Sequence, residues 1–256
     1  MEFYANEGTQ IGIEADGRRY LRHAIHTHRI GVGEDCVELV RRYAADLYQP
    51  GDILSISEKI VSLCQKRVIY KKDLHVGPLA KFLSRFASRS AAGVGVNNPY
   101  KMQVAINLCG RGKILYASAM AAVARLFGKR GVFYEIAGPE VSGLDGFYSR
   151  AFAMYGEFGI LLPERPGQVC DEIYRKLGVP CMIVDANDFG VEILGKSENI
   201  ALPDKTLAAV IRDNPANNCC EQTPFVLIRP AEKVPAAVET EARGTIPHDE
   251  TAAHPA

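Results

Sequence analysis

The chain is predicted to be a mixed α/β domain, with helices and strands interleaved in the α+β manner. Three observations predict it. Apolar strand-like runs alternate with stretches of helical spacing, the connections between them are short, and the composition is that of a globular chain. Over 256 residues, 47% are hydrophobic and 23% charged, enough for a sizeable core without disulfide or metal staples.

The elements follow in order. Glu34-Asp35 are acids that suit a helix N-terminus, and Val37, Val40, Ala44 and Leu47 then recur at helical spacing. Pro50-Gly51-Asp52 ends that helix. Residues 53–57 are expected as a strand, with 59–62 continuing it. Leu79, Phe82, Leu83 and Phe86 mark another helix face, and residues 102–108 a further helix after Pro99. The Ala-rich stretch 117–127 is expected as a buried helix, and 132–136 as a strand. Val169, Ile173 and Leu177 step by four until Gly178. Residues 181–184 form a buried strand that runs straight into Asp185. Leu207, Val210 and Ile211 mark a last helix, and 225–228 a closing strand. Residues 1–230 are expected to be the domain. Residues 231–256, rich in Ala, Glu, Pro, Thr and His, have no periodic apolar face and read as a disordered tail.

Charge and cysteine usage narrow the function classes. Lys+Arg and Asp+Glu are both 30, so the formal net charge is +0. A chain without surplus positive charge is not expected to bind nucleic acid or an anionic membrane non-specifically. No stretch approaches the ~20 apolar residues of a membrane span, and the first residues lack the basic-then-apolar order of a signal peptide. The seven cysteines form no CxxC pair. They read as reduced thiols, which implies the cytoplasm. GxSxG and HExxH are missing, so serine-hydrolase and zincin readings lack support.

Three segments carry candidate chemistry. In 184–190 an apolar strand ends in Asp185, Asn187 and Asp188 before Gly190. Oxygen side chains at a strand end suit a hard cation, and the same residues suit a plain turn. In 136–146 a strand runs into a Gly-rich loop bearing Glu140, Ser142 and Asp145, where backbone amides are able to approach phosphate. An ordinary loop has the same composition. Around 57–67, Lys59 and Ser62 with Arg67 offer a point charge and donors to phosphate; the exposed face of a strand would look alike. His26-x-His28 has no third ligand nearby and is read as ordinary. Cys219-Cys220 is given no role.

Taken in order, these segments resemble the coenzyme F-420: L-glutamate ligase family, the γ-glutamyl ligases of the deazaflavin coenzyme. Gly33-Glu34-Asp35, a helix and Gly51-Asp52-Ile53-Leu54 look like that family's start. The run from Glu58 to Arg67 is similar to its Ser-Lys-Val-Val-Ser…Glu-Gly-Arg element. Ala137-Gly138-Pro139-Glu140-Val141-Ser142-Gly143 resembles its Ala-Gly-Val-Asp-x-Ser-Asn loop. Leu161-Leu162-Pro163 and the strand into 185–190 resemble its Leu-Leu-Pro…Asp-Thr-Phe-Gly stretch, and 221–226 its closing strand. The likeness spans about residues 30–229. It departs in Glu140 for the loop's Asp, Gly143 for its Asn, Gln65 for a Glu, and 191–194 for a basic run.

The resemblance implies a two-lobed fold with mixed sheets and flanking helices, and a homodimer. It implies a GTP- and divalent-metal-dependent ligase, with magnesium or manganese, that joins L-glutamate to a carboxylate acceptor such as coenzyme F420-0 through an acyl phosphate. By resemblance the metal ligands are Glu140, Asp185 or Asp188, and Asn218. An ungapped match puts Asn187 at the family's Asp, whereas a shift of two restores Asp185. The nucleotide falls to Lys59, Ser62, Arg67 and Ser142, and no catalytic residue is assigned. Two other classes share these residues: a non-catalytic nucleotide- or metabolite-binding homologue, and a metal-dependent amide hydrolase.

Overall fold

The computed structural model describes residues 2–87, 95–147, 156–187, 190–217 and 221–231. The protein is a mixed α/β fold built on two sheets. The larger has six strands in the order β1-β2-β9-β3-β7-β8: Gly12–Ala15, Arg18–Ile25, Phe225–Ala231, Ile53–Ser57, Cys181–Asn187 and Gly190–Lys196. Only β3 and β7 run parallel; every other neighbouring pair is antiparallel. The smaller sheet has the order β4-β6-β5, that is Val68–Tyr70, Phe158–Ile160 and Asp145–Gly146.

The apolar runs of β7 and β9, and that of β3 broken only by buried Ser55, are explained by burial on both faces. Leu54, Ile56, Cys181, Ile183, Phe225 and Leu227 join one core with helices α1 (Cys36–Val40), α2 (Glu58–Cys64) and α8 (Pro166–Leu177). Their alternate neighbours Ile53, Met182, Val184, Val226 and Ile228 join a second core with α9 (Asp204–Val210) and the β1–β2 hairpin. The two-residue period of a strand divides them. A third core lies among α3 (Pro78–Phe86), α4 (Pro99–Cys109), α5 (Arg111–Leu126), α6 (Val132–Ala137) and α7 (Pro139–Ser142). Asp35 caps α1, its side chain accepting from the Val37 and Glu38 amides.

Several expectations are corrected. Residues 59–62 do not extend β3 but form α2, because Ile60, Val61 and Leu63 bury themselves in the first core as a helix. Residues 132–136 belong to α6, bracketed by Gly131 and Gly138 at positive φ and packed on α5. The expected Gly-rich loop carries a turn of helix, α7, and the strand β5. Helix α5 exists but is not buried: only Ile114 and Ala117 are. The β1–β2 hairpin and β8 were not anticipated. The expected tail from 232 onward lies outside the described residues. Among the described residues no helix is long and apolar enough to cross a membrane.

Gly146 lets β5 pair closely with β6 inside the small sheet. Its φ is +85°, and a Cβ there would sit 2.3 Å from the Phe158 carbonyl oxygen. Gly146→Ala is therefore expected to cost about 3 kcal/mol, the sum of left-handed strain and a backbone clash. A chemical-denaturation midpoint measures it.

Candidate active site

Strand β3 ends at Ser57, and α2 begins at the next residue. Glu58 and Lys59 therefore emerge at the carboxyl ends of the parallel pair β3 and β7, where sites in α/β folds commonly form. Ser57 on β3 pairs with Val184 on the parallel strand β7, which puts Asp185 one residue further along at the same end. Asp185 in turn faces Glu192 across the antiparallel β7–β8 pair. Like charges placed directly opposite each other destabilise a sheet, so folding alone does not favour this arrangement.

The small sheet and α4 complete the cluster. The Lys59 ammonium lies 2.5 Å from Asp145 Oδ2 on β5. Lys101 on α4 is buried, donates to the Leu144 carbonyl at 2.7 Å and lies 4.0 Å from Asp145 Oδ1. Glu58 is 6% exposed. Its Oε2 has no hydrogen-bond partner among the described residues, and neither has the buried Ser62 Oγ one helical turn further along α2. Unpaired buried oxygens cost stability and call for an explanation.

Burial, reinforced by the charges of Asp185, Asp145 and Glu192 and opposed by Lys59, pushes the Glu58 carboxyl up to about 8. Burial also pulls the Lys101 ammonium down to about 8, helped by the like charge of Lys59 and opposed by Asp145. An acid and an amine thus both titrate near neutrality in one place. Such matched groups suit proton transfer, and paired shifts of this kind gather at functional sites.

The expected site residues divide between two places. Lys59 and Asp185 join the cluster just described. Arg67 and Glu140 do not; they line a separate cleft of about 640 Å³ with Lys113, Gly138 and Glu164. Arg67 reaches Glu164 at 2.6 Å, Glu140 at 3.7 Å and the Leu162 carbonyl at 3.0 Å. Glu140 thus has an arginine beside it. Ser62 is buried within α2. Ser142 is exposed and donates to the Pro139 carbonyl. Asp188, Asn218 and Cys219-Cys220 lie outside the described residues. His26 meets the Glu221 carbonyl, and His28 meets Tyr43 and Glu34. Cys36, Cys64, Cys109, Cys170 and Cys181 are free thiols; a hydrogen bond with Cys64 and burial push Cys36 up, and a hydrogen bond with Cys181 and burial push Cys170 up.

Sequence reasoning carried Asp145 in the Gly-rich candidate segment but gave it no role, and it singled out neither Glu58 nor Lys101. Glu58 and Lys101 had no signal of their own. Among the described residues no three His, Cys, Asp or Glu side chains converge as metal ligands do. Glu58 and Asp185 offer carboxylates, but Asp145 is already engaged by lysine. The described donors therefore do not by themselves fit a divalent cation.

Compared with known proteins, the chain matches no family model and no curated protein matches it.

Proposed function

We propose that this chain is a nucleoside-triphosphate-dependent amide ligase that joins L-glutamate to a carboxylate through an acyl phosphate. The observation that carries the reading is the meeting of buried Glu58 and Lys101 with Lys59, Asp145 and Asp185 at the carboxyl ends of β3 and β7. The resemblance over residues 30–229 supplies GTP, L-glutamate and the deazaflavin coenzyme's carboxylate as reactants.

The chemistry asks for two things these residues offer. First, an acceptor carboxylate oxygen attacks the γ-phosphorus and the bond to the nucleoside diphosphate breaks; positive charge must meet the phosphate oxygens. Lys59 and Lys101 carry it, with Asp145 orienting Lys59. Second, the amine nitrogen attacks the acyl carbon and inorganic phosphate leaves. That amine must first give up a proton, and an ionised Glu58 matched to near-neutral pH takes it. The cleft lined by Arg67 and Lys113 beside Glu140 and Glu164 presents both signs of charge, as a zwitterionic amino acid requires. No step is assigned to a cation.

The test is phosphate release from GTP with coenzyme F420-0 and L-glutamate present together in magnesium- or manganese-containing buffer. Release is expected only with both substrates. Glu58→Gln is expected to lower kcat at least ~100-fold, the usual size of a lost general base. Release without glutamate, or a Glu58→Gln variant as fast as the parent, would overturn the assignment.

A further inference from the structure

The sixteen residues of α5 are arranged inside out. Ile114 and Ala117 face the helical core. Between Lys113 and Arg125, every exposed residue is Leu115, Tyr116, Ala119, Met120, Ala122 or Val123. At 100° per residue these fall on one side of the helix, with Leu126 and Phe127 continuing the row. Leu126 is 84% exposed and Phe127 78%. A surface helix ordinarily turns polar residues to water, and an exposed apolar row of this length marks a contact surface.

Charge says what the contact is. Between Asp73 and Glu135 the sequence contains no acid, and it contains nine Lys and Arg. The rest of the chain holds the other 21 basic residues against all 30 acidic ones. Whole-chain neutrality therefore conceals a segregated basic region. Arg111 and Arg125 lie at the two ends of the apolar row, and Lys129 and Arg130 follow it, all exposed. The turn that presents Leu126 and Phe127 is held by amides of Phe127, Gly128 and Lys129 donating to the Ala124 and Arg125 carbonyls.

We propose that this face of α5 docks the protein on an anionic lipid surface, with Leu126 and Phe127 entering the interface and Arg125, Lys129 and Arg130 on the headgroup phosphates. A convex apolar row rimmed by cations is the pattern of an interfacial helix. The other occupants fit less well. A second copy joined by a two-fold axis would set the same cations against each other. A nucleic acid would take the cations and leave Leu126 and Val123 in water.

The experiment is vesicle co-sedimentation of the full chain, with equimolar phosphatidylglycerol and phosphatidylcholine set against phosphatidylcholine alone. Binding is expected on the anionic vesicles only, and is expected to be lost in ~0.5 M salt, where the Debye length shrinks to about 4 Å. The Arg125→Gln/Lys129→Gln/Arg130→Gln variant is expected to bind about 100-fold more weakly, near fivefold per cation. Leu126→Ser/Phe127→Ser, which leaves charge and core unchanged, is expected to bind at least tenfold more weakly. Equal binding to both vesicle types, or no loss in either variant, overturns the proposal. So does a dimer that Leu126→Ser/Phe127→Ser converts to monomer, since a second copy then covers the face.

Discussion

Glu58→Gln is expected to raise the unfolding free energy by on the order of 4 kcal/mol at about pH 9 and to leave it nearly unchanged at about pH 4. The folded protein holds the Glu58 proton up to about 8, whereas the unfolded chain releases it at the model value of 4.5. In that window the folded state binds the extra proton, so stability falls as pH rises from 4.5 to about 8 and is flat beyond. Glutamine imitates the neutral carboxyl and escapes the fall. Urea denaturation of both proteins at stepped pH measures the difference. Two parallel stability curves would mean that Glu58 is hydrated and ionises normally. Because the proposed ligase needs Glu58 to ionise, the same change is expected to stabilise the fold and slow the reaction, a trade found where sites are built at the expense of stability.

Asp213→Asn is expected to destabilise the fold by about 3 kcal/mol, because it strands a buried guanidinium. Arg22 stands in the middle of β2 and is 1% exposed. Its Nη2 donates to Asp213 Oδ2 at 2.8 Å, its Nη1 pairs with Asp213 Oδ1, and it also donates to the Val210 and Gln10 carbonyls. Burial raises the Asp213 carboxyl, but the hydrogen bonds and charge of Arg22 outweigh it and hold the carboxyl below its usual value. A depressed folded value gives stability that is present above pH 3.8 and lost as pH falls below it, opposite in sense to Glu58. Arg22→Met is expected to cost less than half as much. It removes the buried charge itself and leaves Asp213, which is partly exposed, to water. Equal losses in the two variants, by denaturant midpoint, would contradict this asymmetry.

The strands of the central sheet were legible because β3, β7 and β9 are covered on both faces and so carry apolar runs, broken in β3 only by buried Ser55. The helix starts were legible too, since Glu34-Asp35 announce α1 and Pro99 announces α4. Helix α2 was misread because its β-branched pair, Ile60-Val61, favours a strand locally and only packing on the first core decides for helix. In α6 the run Val132-Phe133-Tyr134 misled in the same way. The β1–β2 hairpin had a usable signal: Asp16 and Gly17 both take positive φ, which Asp-Gly tolerates. In α5 periodicity revealed the helix but not which side meets water, since an Ala-rich core helix and an Ala-rich docking helix are written alike.

The candidate site was half legible. Asp185 marks where the apolar run of β7 ends, and Lys59 was singled out as a cation just after β3. Glu58 and Lys101 look like ordinary helix residues. What buries Lys101 is the arrival of Leu144 and Asp145 more than forty positions later, and no local pattern encodes that meeting.

The most direct test of the account is calorimetric titration of GTP into the full chain with manganese present, repeated on Lys59→Ala. The account predicts binding by the parent that weakens at least about tenfold in the variant, the worth of one charge-assisted phosphate contact. Equal affinity in both, or no binding by the parent, would show that the edge shared by Glu58, Lys59 and Asp145 does not hold a triphosphate.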